Sequence, residues 1–287
     1  MTTEIHVVDE TGDANSPAAQ IREILTASAP VMEQVTGLRL PVATYHLLHH
    51  RGFVERYRIN LVGAYGRDTE GYELNLLHSR IVQDLPHALA RSVGKHWTLI
   101  EPEAVTDRLF RPAILIAVDA WAHQGVLSSS AALHDRLLCS LAYLAQITAS
   151  SGEVAPQKVW PSSAAHRGHP ARQLIEGHAR WVADTATPIV LGGPSGKERL
   201  DHSRLYRRQS LLPDTIDCGR GMRRVRRAAD FVSQAVAGCG TDRFNAVWHA
   251  PDLVPTPREL KRPHEWLRRT APAPGTAAGP ALEPGPR

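Results

Sequence analysis

A helix-rich α+β domain is the fold class that three observations on this chain predict. The longest amphipathic segments have helical spacing and cluster in the second half. Two short strand-like runs bounded by turn residues lie in the first half. The composition, 43% hydrophobic and 22% charged over 287 residues, is that of a chain able to bury a sizeable core.

In chain order, the first 17 residues contain acids and no apolar run, so composition assigns them to a flexible end. Ile21, Ile24 and Leu25 give Ala19–Ala29 helical spacing. PVATYHLLHH and VERYRINLVGAYG read as strands, and Leu74–Val93 as a helix. The strongest helix is Leu127–Ala149: Ser129 or Ser130 caps its start, and Leu133, Leu137, Leu138, Leu141, Leu144 and Ala145 form its apolar face. A Pro-rich loop leads to a helix at Ala171–Thr185, with Pro170 in its first turn and Pro188 expected to stop it. Arg220–Val236 buries Val225, Ala228, Ala229, Val232 and Val236 beneath a solvated arginine face, and PTPRELKRPHEWLRR is a Pro-bounded short helix. The Pro/Gly/Ala-rich residues 270–287 form a tail without a core, leaving one domain over 18–269.

Several function classes fall away on composition. The net charge of +4 is modest and concentrated in Arg220–Arg227, which speaks against specific nucleic-acid recognition. No apolar run reaches the length of a membrane span. Cys139, Cys218 and Cys239 include no CxxC pair, so neither a disulfide framework nor a zinc ribbon is indicated, and a cytoplasmic protein is expected. GGPSGKE lacks the spacing of a phosphate loop. His166 and His169 fall in a loop, and His46, His49 and His50 cannot all share one strand face.

The order of parts in the second half carries more. A long helix ends in Gln146-Ile147-Thr148-Ala149; EGHA follows at Glu176–Ala179; and DRFNAVWHAPDLVPTPRELKRPHEWL occupies Asp242–Leu267. Together these resemble a zincin-like metallopeptidase family of actinobacteria over roughly Ala131–Arg269. The resemblance implies a zincin-like fold, a zinc cofactor, and HExxH on the long helix. In that motif two histidines one turn apart hold the zinc and the glutamate activates its water; the EGHA helix adds a further ligand.

Anchored on Gln146, the five motif positions are occupied here by Cys139, Ser140, Leu141, Ala142 and Tyr143. Shifted by five residues they are His134-Asp135-Arg136-Leu137-Leu138. Either register lacks the two-histidine face. The candidates left are Cys139, Tyr143 and Glu176 as catalytic groups, and Glu176, His178 and His134 as metal ligands, with Arg180 where a later acid is expected. The expectation is a metallopeptidase homologue with an eroded zinc site. It would hold a peptide, a small molecule or a partner in the former cleft without cleaving it. Two alternatives stay open: a metallohydrolase with a non-standard ligand set, and an enzyme repurposed around Cys139, Tyr143, Glu176 and His178.

Overall fold

The computed structural model describes residues 4–106, 111–150, 170–192 and 220–271, the side chains of the last segment from 224 onward. His166, His169, Cys218 and the tail beyond 271 lie outside them. Ile5–Asp9, assigned above to a flexible end, form strand β1, a correction to that reading. β1 pairs in parallel with β2 (Ala43–Leu48), β2 in parallel with β4 (Pro112–Ala117), and β3 (Glu103–Thr106) runs antiparallel to β4 at the opposite edge. Strands β3 and β4 were not read from the sequence.

Both faces of this small sheet are covered, and β4 shows it by strict alternation. Ile114 and Ile116 enter the main core, whereas Ala113, Leu115 and Ala117 enter a second one. The main core lies against helices α1 (Ala18–Thr36), α5 (Ser130–Ala149), α6 (Pro170–Leu191) and α7 (Arg220–Cys239). The second lies beneath α2 (His50–Thr69), through Phe53, with Val54 and Tyr57 packed against it. α3 (Leu76–Lys95) folds back on α2, and the short α4 (Val118–His123) links β4 to α5.

VERYRINLVGAYG is therefore helical, a correction to the strand reading. Its apolar side chains are spread around the helix: Phe53, Leu61, Ala64 and Tyr65 are buried while Ile59 and Val62 stay exposed, so no single stripe betrays the period. Helix α6 likewise runs past Pro188 to Leu191. A proline three residues from the end removes one N–H bond in a turn that is already terminating. Other expectations are met in whole or in part: Ser129 caps α5, its side chain accepting from the Ala132 N–H at 3.3 Å, and on α7 Ala228, Ala229 and Val232 are buried while Val225 and Val236 are half-buried. The chain closes through α8 (Thr241–Asn245), three short 3-10 turns and α9 (Pro263–Arg269). No described helix is long and apolar enough to cross a membrane.

Candidate functional site

Helices α5 and α6 lie side by side, as the zincin reading requires of the ligand-bearing pair. On α5, Cys139 sits against the α6 backbone, its Sγ donating to the Ala179 carbonyl at 3.5 Å. Burial, followed by the Asp135 charge, pushes this thiol up to about 12, so it stays protonated at physiological pH. The Ser140 hydroxyl donates to Leu137 O at 2.7 Å and receives the Tyr45 hydroxyl at 2.9 Å, a buried structural bond that ties α5 to β2. Tyr143, one turn after Cys139, is raised by burial and then by the Glu176 charge.

The structure thus brings Cys139, Tyr143 and Glu176 to one helix–helix seam. What fills that seam is a set of ion pairs. Arg172 Nε donates to Glu176 Oε1 at 2.8 Å. One turn beyond Glu176, the Arg180 guanidinium forks onto both oxygens of Asp135 on α5, at 2.7 Å each, and its Nε reaches Asp184 Oδ1 at 2.7 Å. Asp135 and Arg180 retain only 6% and 13% side-chain exposure, so this bridge is sealed between the helices. It spans 45 residues and had no signal in the sequence.

His134 does not join this group, and His178 meets α5 farther along, at Gln146. His134 sits in the first turn of α5, bonded through Nδ1 to Ser130 O of its own helix at 2.8 Å. His178 is fully buried, with its ring 5.0 Å from Trp248, 5.9 Å from Phe244 and 5.6 Å from Trp181. Gln146 Nε2 bonds Ile175 O at 3.0 Å, which fixes the amide orientation. Its second N–H is then given to His178 Nδ1 at 2.9 Å. The imidazole proton accordingly sits on Nε2, which has no hydrogen-bond partner among the described residues.

Burial alone drives the His178 pKa from 6.5 down to about 3. The sign follows from linkage: between these values the unfolded chain binds the proton and the folded chain does not. Folding stability is therefore unaffected by this residue above pH 6.5 and falls by about 1.4 kcal/mol per pH unit on acidification towards pH 3. Urea titrations at stepped pH should show a shallower acid limb in His178→Phe than in the wild type. Parallel limbs would contradict the burial argument.

Sequence reasoning undervalued a second cluster. β2 ends at Leu48, so His49 becomes the N-cap of α2 and His50 its first residue. Each histidine of TYHLLHH then meets an acid. His46 Nδ1 lies 2.6 Å from Glu10, which also holds Arg56; His49 Nε2 lies 3.6 Å from Asp13; and His50 Nδ1 lies 2.5 Å from Asp119. Asp119 Oδ1 also accepts the His50 N–H at 2.8 Å, and Trp97 stacks on the His50 ring at 4.5 Å. These pairs tie β1, β2, α2 and α4 together at the carboxyl ends of the parallel strands.

Residues 146–267 match a family model described as "Zincin-like metallopeptidase". The match opens at Gln146, beyond Cys139 and Tyr143, and takes in the Gln146–His178 pair, EGHA, and the FNAVW segment whose Phe244 and Trp248 enclose that histidine. No curated protein matches the sequence. Among solved structures the chain is similar to one described as a "putative hydrolase with a novel fold" from Chloroflexus aurantiacus. That similarity has a TM-score of 0.59 at 15% identity and covers 90% of this chain and 91% of that one, a likeness of fold.

The zinc that such a domain implies does not fit the described donors. Cys139 is a protonated thiol turned to a carbonyl, Tyr143 is raised further from ionising, Glu176 is held by Arg172, and His178 is walled in by aromatic rings. Among the described residues, no group of three or more His, Cys, Asp or Glu side chains converges to hold a metal ion.

Proposed function

We propose, on the premise of a zincin-like metallopeptidase domain over residues 146–267, that this protein holds an extended peptide along the β3 edge, beside the sealed α5–α6 seam, and does not hydrolyse it through zinc. The observation that carries the reading is the Arg180–Asp135 fork between α5 and α6, a buried ion pair one turn from both Glu176 and Cys139. This fork occupies both oxygens of Asp135 and one of Asp184, so the carboxylates beside Cys139 and Glu176 are already satisfied by a guanidinium and a dication entering the seam would have to displace it. Peptide is favoured over a smaller ligand by the sheet order. β3 is an edge strand, α5 packs against it, and the charge of its Glu103 reaches Tyr143 and Arg172, so strand addition at this edge would lay a peptide along the α5 side.

Metal analysis of purified, zinc-reloaded protein should find far less than one zinc per chain, unchanged by Glu176→Ala, together with no cleavage of unstructured peptides. An extended-peptide library should yield saturable binders weakened about tenfold or more by Glu103→Arg. Stoichiometric zinc that vanishes in Glu176→Ala would overturn the proposal in favour of a metallohydrolase with an unusual ligand set. That second reading draws on the hydrolase description of the structural neighbour. An enzyme repurposed around Cys139 has less support, given a thiol held at about 12.

A further inference from the structure

Helix α3 is amphipathic in sequence yet contributes almost nothing to the core: of its 20 residues only Pro86 and Ala90 are buried. Those two mark the side turned to α2, and Gly94, one turn on, lies against Val54 of that helix. Half a turn away, at spacings of four, four and three, run Leu77, Ile81, Leu85 and Ala88. Leu77 is 65% exposed, Leu76 beside it 73%, and Tyr72 at the hairpin tip 55%. Ile81 and Leu85 are half-exposed and Ala88 is exposed. Among the described residues, α3 packs chiefly on α2, and this second face has no cover.

The occupant is indicated by how charge is distributed along the hairpin. Its tip carries the exposed acids Glu70 and Glu73; its far end carries the exposed bases Arg91 and Lys95. A segment acidic at one end and basic at the other complements itself when two copies run antiparallel about a two-fold axis. The apolar positions agree with the same axis. With the two-fold between Val82 and Gln83, Ile81 faces Leu85 of the other copy and Leu77 faces Ala88. Each large side chain opposite the small one relieves crowding at the ends of the seam. That register also sets Glu73 beside Arg91 and Glu70 beside Lys95 at both ends.

We infer that α3 is the interface of a two-fold symmetric dimer of this chain, its Leu77/Ile81/Leu85/Ala88 seam packed antiparallel on itself and its ends paired by Glu70 and Glu73 with Lys95 and Arg91. The buried strip is about 30 Å long and about 12 Å wide. This is a small interface, so dissociation in the micromolar range is expected, roughly 1–50 µM.

The test is sedimentation velocity or light scattering over a dilution series up to about 200 µM, well above that range. Wild-type protein should move from dimer to monomer on dilution. Leu76→Glu/Leu77→Glu, at two exposed positions, should be monomeric throughout with an unchanged melting temperature. Glu70→Lys/Glu73→Lys makes both ends basic and Arg91→Glu/Lys95→Glu makes both acidic. Each variant alone should associate at least tenfold more weakly than wild type, and an equimolar mixture should recover the dimer. Wild type that stays monomeric to the highest concentration overturns the inference. So does a dimer that survives Leu76→Glu/Leu77→Glu, or a mixture of the two charge variants no more associated than either alone.

Discussion

Gly177→Ala is expected to destabilise the fold by about 3 kcal/mol or more, which would lower the melting temperature by roughly 6–12 °C in a chain of this size. The glycine of EGHA sits where α6 meets α7. A Cβ added there would lie 2.4 Å from the Cβ of Ala228, 2.6 Å from its carbonyl carbon and 2.9 Å from the Ala229 nitrogen. Backbone atoms cannot step aside as a side-chain tip does, so the two helices must separate along the contact that buries Ala228, Phe231 and Val232. Two controls isolate the cause. In Gly238→Ala the nearest atom is the Leu267 Cδ1 at 2.7 Å, the end of a side chain that can rotate, so the loss should be smaller. In Gly66→Ala on α2 nothing lies within 4 Å, and stability should rise by about 0.5–1 kcal/mol through helix propensity. Equal effects from Gly177→Ala and Gly238→Ala would mean that helix approach is not what the glycine provides.

Arg180→Ala is the second large effect, about 3–5 kcal/mol, because it strands the Asp135 carboxylate at 6% side-chain exposure without its bidentate partner. Asp184, at 27% exposure, can hydrate and should add little. The informative comparison is Arg180→Met/Asp135→Leu. With both charges gone and the volume kept, the chain should recover to within about 1 kcal/mol of wild type, since the pair offsets its own desolvation without a large surplus. Urea unfolding of the two single variants and the double variant measures this directly. A double variant as unstable as Arg180→Ala would show that the bridge stabilises by more than avoiding an unpaired charge.

How much of this was legible in the sequence depended on whether the signal was local. Ser129, the α5 stripe and the Gln146 anchor are local, and they placed Cys139, Tyr143 and Glu176 on one seam. β4 was missed because PAILIA, a short run buried on both faces, has no period to detect. α2 was misread because its buried and exposed apolar residues together alternate like a strand. The Arg180–Asp135 fork, the sealing of His178 by Phe244 and Trp248, and the pairing of His50 with Asp119 join residues tens of positions apart, and only the fold brings them together.

The bond from Asn245 Nδ2 to Thr36 O, 2.8 Å long, crosses 209 residues to finish the end of the first helix. Asn245 also lies 3.4 Å from where a side chain on the left-handed Gly37 would begin, so the FNAVW segment closes over the turn that leaves α1. During synthesis at about 5–20 residues per second, α1 would wait some 10–40 s for the residue that completes it. Cutting the chain ahead of α5 would leave the family-matched segment, residues 146–267, without the α1 surface on which α5 and α6 pack.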